Sequence, residues 1–517
     1  EATATLAAWN DWYATDGYLR DNPYSNYFTG YFLQTWLAAT AIGDGDPRGT
    51  KLWDRALGLT TTLAAPALAT RLASGNWPEG FQYGELSSLS YVLASHVAAS
   101  HGQPPFAQEF ARGLVKTHVY GLWPSGTEAW DSGDHAEHPV RPGTSSVSAI
   151  LATMPDDPLA PIARAYVAKY ATWEGGDWLD TVAEAVAPVP APTADWATAG
   201  WPLSHDMRGT GTFVVRSGWG KDDVWASFTS LGRLGIDHQH ADAGHFSIVR
   251  GSDYLALDSV ALDSWATWNH NTLLFDDRGE ALVYPPNQGG WSTAENVTVT
   301  RAVELGLAAA AEGEFSHAYD PNDESIPRTV ELAKRQWVYV RPGLFVVHDR
   351  TRAKAHALTT TFALHTFEEP LATGPVLVAE RGASRLTSQT LLPTTFDRHV
   401  YAEPHGAHDA RLVGVALPGQ PCAHLGGVRL LGVAVACQQH DGAGIVGPFS
   451  VEELGHLDLA LVEHGACCVW SVDRQVLAAA NFLAVAEADD PCDLEKNLKL
   501  VVKHDWSQLV VVGESER

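Results

Sequence analysis

The sequence predicts an α+β protein in which a helical region comes first and antiparallel strands follow. Over roughly the first third of the chain, apolar residues recur at steps of three and four, the period of an amphipathic helix. Beyond about residue 200 the period changes to two, and β-branched and aromatic runs are bounded by Gly, Pro and Asn. A run of helices followed by a run of strands favours this class over alternating βαβ units.

Residues 1–186 are predicted to form antiparallel helical hairpins arranged as an α/α toroid. Phe28, Phe32 and Trp36 lie on one face of a predicted helix over 27–42, and the segments 86–97 and 106–114 repeat the pattern. Loops rich in Gly, Pro and Asp separate these segments at 43–49 and 100–105. The region is short for a complete toroid, so we expect either an incomplete one or further residues upstream.

A proline-rich stretch separates the two regions. Pro188, Pro190 and Pro192 alternate with other residues, which favours an extended, semi-rigid linker, here placed at 187–200. Residues 201–517 then carry the strand pattern, with predicted strands at 212–217, 224–230 and 358–364. The segment 336–349 is predicted to be a hairpin turning at residues 341–343.

Composition limits the classes of function. The chain has 517 residues and 45% hydrophobic residues, enough for two or three domains with their own cores. No apolar run is long enough to predict a membrane span. With 34 basic and 61 acidic residues, the net charge of −27 argues against nucleic acid as a partner and against long-range attraction of a heavily sulfated polyanion. The five cysteines include no C-x-x-C pair, so neither a disulfide framework nor a cysteine zinc site is predicted.

The segment 236–277 concentrates residues that bind metals. They are His238, His240, Asp242, His245, Asp258 and His270. Three strands are predicted here, at 245–249, 253–260 and 271–276, and strand alternation would place His238 and His240 on one face. Imidazoles and a carboxylate converging from these elements would suit zinc. In a chain with 22 histidines, chance spacing and hydrogen-bonded core histidines remain alternatives.

The pattern H-x-H-x-D-x-G-x-F at 238–246, followed by LALD and then NHNTL, resembles the heparinase II/III-like polysaccharide lyases, which include heparin, alginate and oligoalginate lyases. The resemblance implies a helical toroid followed by an antiparallel β-sandwich, with the active site in the cleft between them. It implies that His238 lies in the catalytic cleft and that His240, Asp258 and His270 bind a structural zinc ion. His245 departs from the small or polar residue usual at that position.

A second motif lies in the helical region. The order W-x-E-G-x-x-Y at 77–83 resembles the segment that carries the catalytic tyrosine of this group, which would be Tyr83, with Glu79 near the same cleft as a substrate-binding residue. Otherwise Tyr83 is a core aromatic at a helix start and Glu79 a first-turn acid. Upstream, members carry an Asn-His pair. Here Asn26 matches the carboxylate-neutralising Asn, and Tyr27 replaces the His that assists proton transfer, or else lies in the core.

The resemblance implies β-elimination on a uronate-containing glycan. Neutralising the substrate carboxylate stabilises the developing enolate, while a base removes the C5 proton and an acid protonates the oxygen leaving C4. Tyr83 would serve the leaving oxygen, and also the C5 proton when the geometry is syn. His238 would be the base in the anti geometry or help to neutralise the carboxylate. Zinc would have a folding role. The implied substrate is an acidic oligo- or polysaccharide, from which we expect a secreted or periplasmic protein.

Other candidates complete the predicted site. Arg208, Trp268 and Tyr284 could bind substrate through a guanidinium or aromatic rings. The acidic loop 130–138 could bind a cation, line the cleft or be solvated. If the protein were a toroid-type glycoside hydrolase, Glu79 with Asp131 or Asp134 would be its acid and base. A non-catalytic glycan-binding protein is the third hypothesis, and the sequence leaves the oligomeric state open.

Overall fold

The computed structural model describes most of the first 400 residues and short strands beyond them. The described residues are 1–135, 140–171, 194–258, 265–276, 288, 297–320, 330–353, 359–392, 396–402, 411–417, 429–439, 458–461, 468–471, 484–487 and 499–502. Tyr284 and most of the predicted strand texture near the end of the chain lie outside them.

The α-helices of the described residues all lie within the first 170 positions, which agrees with the predicted helical region. The helices are α1 (Ala2–Asp16), α2 (Asn26–Ile42), α3 (Pro47–Leu59), α4 (Ala65–Ala69), α5 (Phe81–Ser100), α6 (Gln108–Gly121), α7 (Ser145–Thr153) and α8 (Ala160–Tyr170), with a π-helical turn over Thr60–Ala64 joining α3 to α4. Ser25 caps α2, because its hydroxyl oxygen accepts a hydrogen bond from the backbone N–H of Tyr27 at 3.2 Å. The predicted face of α2 is buried, whereas Leu86 on α5 is 47% exposed.

The strands begin after residue 200. They are β1 (Ser204–Met207), β2 (Thr212–Arg216), β3 (Val224–Thr229), β4 (His245–Arg250), β5 (Asp253–Ala256), β6 (Leu273–Asp276), β7 (Thr298–Glu304), β8 (Ala308–Glu314), β9 (Val330–Val340), β10 (Leu344–Ala353), β11 (Thr359–Thr366), β12 (Leu371–Thr373), β13 (Val376–Arg381), β14 (Ser384–Leu392), β15 (Asp397–Ala402), β16 (Arg411–Leu417), β17 (Arg429–Gln439), β18 (Asp458–Leu461), β19 (Cys468–Ser471), β20 (Ala484–Glu487) and β21 (Lys499–Val502). Every pairing between described strands is antiparallel.

Among the described residues the strands form three larger sheets and two hairpins. Strands β1 to β5 follow one another in the first sheet. The second has the order β12-β13-β14-β17-β10-β9-β8-β7, with the predicted hairpin as β9 and β10, and the third has the order β15-β16-β11-β6. A shared core that includes Phe228, Phe246, Trp337 and Phe362 packs these sheets together.

The helical region packs directly on the first sheet. Phe81 and Trp130 from the helical region share one buried cluster with Trp225 on β3. The indole Nε1 of Trp225 donates to the carbonyl of Tyr120 at 2.7 Å, and Nη1 of the buried Arg216 donates to the carbonyl of Leu122 at 2.7 Å. Arg216 therefore joins the two regions through backbone carbonyls. This interface fixes the position of the helices relative to the loops that follow β3 and β5.

The predicted linker at 187–200 can be compared with the structure only in part. Helix α8 ends at Tyr170 and β1 begins at Ser204, which agrees with a change from helix to strand between them. Residues 172–193 lie outside the described residues, so the bounds 1–186, 187–200 and 201–517 stay predictions. No helix in the described part of the chain is long and apolar enough to cross a membrane.

Candidate functional site

Two predicted catalytic residues meet although 155 positions separate them in the sequence. Tyr83 lies in the first turn of α5, and His238 lies in the loop between β3 and β4. Their rings stack with centroids 3.8 Å apart and an interplanar angle of 20°. Both side chains are half-buried, so a substrate can reach the pair. The pair is the centre of the candidate active site.

The backbone at His238 differs from the prediction. His238 and His240 were expected on one face of a strand, but residues 230–244 form a loop and β4 begins only at His245. The two imidazoles nevertheless meet on one carboxylate. Nδ1 of His238 and Nε2 of His240 each lie 2.8 Å from a different oxygen of Asp134. The two imidazoles are therefore brought together by their hydrogen bonds to Asp134 and not by the alternation of side chains along a strand.

Next to this pair, three buried side chains form a possible metal site. Ligand atoms of His240, Asp258 and His270 all lie within 4.8 Å of one another. Nδ1 of His270 is 2.7 Å from Oδ1 of Asp258. Nδ1 of His240 is buried and has no hydrogen-bond partner among the described residues. Two imidazoles and a carboxylate are a donor set that zinc accepts, so the residues fit the ion that the resemblance implies.

The protonation states of Asp258 and His240 also favour the binding of a metal cation. Burial alone would raise the pKa of Asp258, but the imidazoles of His245, His270 and His240 outweigh burial and hold the pKa well below its usual range. Burial lowers the pKa of His240, which favours the neutral imidazole. An ionised carboxylate and neutral imidazoles are the forms that bind a metal ion.

Buried groups hold the ligand-bearing segments in place. The side chain of Asn271 donates to the carbonyls of Phe246 and Leu257 at 2.8 and 2.6 Å. Arg335 forms a fully buried ion pair with Asp349, and its Nη1 donates to the carbonyls of Gly244 and Asn271 at 2.5 and 2.7 Å. The role of Arg335 could not be predicted from the sequence, because the two carbonyls that it binds lie 64 and 91 positions away.

Glu79 is fully buried beside the pair. Its Oε2 accepts hydrogen bonds from the indole Nε1 of Trp77 at 3.0 Å and from the backbone N–H of Asn26 at 2.8 Å. Its Oε1 is buried without a hydrogen-bond partner in the described part of the chain. Burial raises the pKa of Glu79 to about 7. The alternative of a first-turn acid is wrong, because Glu79 precedes α5 and is shielded from solvent.

The Asn-Tyr pair lies at the start of α2. Asn26 is half-buried and is tied to Glu79 through its backbone. Tyr27 is 41% exposed, so the alternative that it lies in the core is wrong. Its ring packs edge-on against Tyr18 with centroids 5.2 Å apart. The hydroxyl of Tyr18 donates to Oδ1 of Asp237 at 2.7 Å, which joins this segment to the loop carrying His238.

The structure gives less support for substrate binding by the remaining predicted residues, Arg208, Trp268 and Tyr284. Arg208 is exposed and its guanidinium pairs with Asp206 at 2.7 Å, and none of its contacts within the described residues reaches Tyr83 or His238. Trp268 is half-buried just before His270 and packs against a small apolar cluster. Tyr284 lies outside the described residues.

Comparison with solved structures identifies the fold. A structure named heparinase III aligns with a TM-score of 0.57 at 11% identity, covering 90% of this chain and 66% of that one. Another heparinase III gives 0.54 at 12% identity, covering 80% and 60%. The heparan sulfate lyase of Pedobacter heparinus gives 0.53 at 12% identity, covering 81% and 61%.

The chain thus spans between 60% and 66% of the length of these structures. No protein-family model matches the sequence, and no curated protein is similar to it. Since the identities are low, the likeness concerns the arrangement of helices and sheets. The predicted resemblance is confirmed at the level of the fold: the chain has the fold of these heparinase and heparan sulfate lyase structures.

Proposed function

We propose that this protein is a polysaccharide lyase that cleaves a uronate-containing glycan by β-elimination. The observation that carries the proposal is the stacked pair of Tyr83 and His238, half-buried and beside the buried acid Glu79. The neighbours of the same fold are named as lyases of heparan sulfate or as heparinases, which supports the reaction class. By the same likeness we propose that the helices belong to an α/α toroid and that the sheets form a β-sandwich.

The pair provides the groups that an elimination needs. The base removes the C5 proton, the C4–O bond breaks as the C4–C5 double bond forms, and the leaving oxygen takes a proton. Tyr83 would donate that proton, and its phenolate would take the C5 proton when both leave from one face. His238 would take the C5 proton from the opposite face. Tyr27 is the remaining candidate for assisting proton transfer, since it is exposed at the edge of the site.

Asn26 would neutralise the uronate carboxylate, whereas Glu79 is fully buried and would act through Asn26 rather than touch the substrate. With its pKa raised to about 7, the carboxyl of Glu79 is largely protonated below neutral pH, so there it adds little negative charge that would repel the substrate carboxylate. Its Oε1 makes no hydrogen bond among the described residues. The hydrogen bond from the backbone N–H of Asn26 to Oε2 places the start of α2 next to this group. Charge stabilisation of the enolate is usually the largest catalytic contribution in such reactions.

A zinc ion at His240, Asp258 and His270 would be structural. When bound, it would cross-link the loop before β4, the segment after β5 and the turn before β6. The three residues are buried, so the ion would stabilise the fold around His238 without contacting substrate.

The charge of the chain indicates the substrate class. At a net charge of −27 the protein repels polyanions at long range, which favours sparsely charged carboxylated polymers such as alginate or glucuronan over highly sulfated ones. Uronate polysaccharides are encountered outside the cytoplasm, so we propose that the protein is secreted or periplasmic.

The proposal is tested by ultraviolet absorbance of the purified protein mixed with a panel of uronate polymers. Elimination creates an unsaturated, absorbing uronate, so absorbance should rise with at least one polymer. New reducing ends without absorbance would indicate hydrolysis. The geometry disfavours hydrolysis, since both oxygens of Asp134 already accept hydrogen bonds from histidines and Asp131 is fully buried. Binding without any product would indicate a glycan-binding protein.

A further inference from the structure

One carboxylate from the helical region contacts both histidines of the H-x-H motif. Oδ2 of Asp134 lies 2.8 Å from Nδ1 of His238, and Oδ1 lies 2.8 Å from Nε2 of His240. The side chain of Asp134 is only 9% exposed and that of His240 only 1%. The sequence separations are 104 and 106 positions, so the tertiary fold alone creates this arrangement.

The loop that carries Asp134 also contacts the start of α5. The backbone N–H of Phe81 donates to the carbonyl of Ser132 at 3.1 Å, and Gly80 and Gly133 form an isolated antiparallel bridge. The backbone N–H of Asp134 donates to the carbonyl of His238 at 3.4 Å. The loop therefore lies between the turn that presents Tyr83 and the loop that presents His238, and is bonded to both.

The two histidines use opposite ring nitrogens toward Asp134. A neutral imidazole has one N–H and one lone pair, and the N–H points to the carboxylate. In His238 the N–H is then at Nδ1, which leaves the lone pair of Nε2 for the substrate. In His240 the N–H is at Nε2, which leaves Nδ1 for a metal ion. This nitrogen of His240 is the buried one without a hydrogen-bond partner among the described residues.

We propose that Asp134 is a positioning residue that fixes the tautomer and orientation of the base His238 and of the zinc ligand His240 together. A carboxylate behind a metal-binding histidine is a common arrangement, and here the same group also orients the neighbouring histidine of the active site. The proposal rests on the proposed lyase function for His238. For His240 it rests only on zinc binding.

The Asp134→Asn variant tests the proposal with little change in size. The amide has one acceptor oxygen and one donor nitrogen, so it can satisfy only one of the two imidazole N–H groups and opposes the other. We expect kcat to fall about 10- to 100-fold with KM nearly unchanged, and the zinc content after dialysis to fall below that of the wild type. Asp134→Glu keeps both acceptor oxygens and should recover most of the zinc.

Asp253→Asn is the matched control. Asp253 also accepts two hydrogen bonds, from the hydroxyl of Ser384 at 2.7 Å and from the backbone N–H of Ala383 at 3.0 Å, but it lies on β5 away from the histidines. This variant should keep wild-type kcat and zinc content.

Activity and zinc are measured on the same preparations, with thermal unfolding to show that each variant is folded. An Asp134→Asn protein with wild-type kcat and zinc content would overturn the proposal. So would equal losses in Asp134→Glu and Asp134→Asn when both are folded. If Asp134→Asn does not fold, the zinc content and kcat of Asp134→Glu are compared with those of the control. Loss of both in the control, while Asp134→Glu keeps them, would contradict the proposal. A wild type that binds zinc but cleaves no uronate polymer would refute the lyase function and leave the zinc comparison as the test of Asp134.

Discussion

At the scale of single residues, the site depends on contacts between groups that are distant in the sequence. Tyr83 is held by the first turn of α5 and His238 by a loop after β3, yet their rings are 3.8 Å apart. Such stacking orients both rings while leaving their polar atoms at the edge. The phenol and the imidazole can therefore act on one substrate carbon and its neighbour without a large rearrangement.

Replacing Tyr83 by Phe removes the proposed proton donor and keeps the ring. We expect kcat to fall about 10²- to 10⁴-fold, the usual contribution of general acid–base catalysis, with little change in thermal stability. Product formation is followed by ultraviolet absorbance. Tyr166→Phe is the control, because the Tyr166 hydroxyl is buried in the helical region and makes no hydrogen bond among the described residues. Wild-type turnover in Tyr83→Phe would remove Tyr83 from the mechanism.

Glu79 gives a prediction about pH. Burial raises its pKa from 4.5 to about 7, so the folded protein holds this proton more tightly than the unfolded chain. The stability that this proton provides is present at low pH and is lost as the pH rises from about 4.5 to 7. Glu79→Gln lacks the titration, so its free energy of unfolding relative to wild type should increase by roughly 1–3 kcal/mol over that range. Denaturant unfolding of both proteins at several pH values measures this difference. A difference that does not change with pH would contradict the raised pKa of Glu79.

At the scale of elements, the three candidate metal ligands lie in connections rather than in strands. His240 lies between β3 and β4, Asp258 two residues beyond β5, and His270 after a short 3₁₀ helix. Runs of β-branched and aromatic residues predicted β4 and β6 to within two residues, but the strand predicted at 253–260 ends at Ala256, so that Asp258 lies beyond it. The sequence predicted the wrong backbone for His238 and His240, because alternation in a short polar segment cannot separate a strand from a loop fixed by tertiary contacts.

Removal of the proposed zinc ion should weaken this region of the fold. The purified protein should contain about one zinc ion per chain, and a chelator should lower the midpoint of thermal unfolding by several degrees. His240→Ala should contain little zinc and show no further shift with chelator. His317→Ala is the control, since His317 pairs with Asp320 away from the site. Elemental analysis measures the metal, and equal zinc in both variants would contradict the assigned ligands.

The contact between the loop of Asp134 and α5 requires glycine at position 80. Gly80 has a φ of +105°, and a Cβ there would lie 2.0 Å from the carbonyl oxygen of Ser132. Gly102 has a φ of +82° but open space around its Cβ position. Gly102→Ala should therefore cost about 1 kcal/mol of stability, and Gly80→Ala several-fold more together with most of the activity. Denaturant unfolding compares them, and equal costs would show that the close approach is absent.

At the scale of the whole molecule, the change in periodicity near residue 200 was enough to predict helices followed by antiparallel sheets. The heparinase-like fold followed from the motif around His238 and from W-x-E-G-x-x-Y at Tyr83, and the solved structures support it. The partners of Asp134 and Arg335 could not be predicted. Their spacings of 64 to 106 positions carry no local periodicity, and one carboxylate facing two histidines arises only when the helical region packs on the first sheet.

Mass spectrometry of the products formed in oxygen-labelled water would separate elimination from hydrolysis. Elimination moves a proton and breaks the C4–O bond without adding water, so the product masses should sum to the mass of the substrate and carry no label. Hydrolysis adds one labelled oxygen for each bond cleaved. Unlabelled, unsaturated products would establish the lyase reaction, and label in the new ends would contradict it.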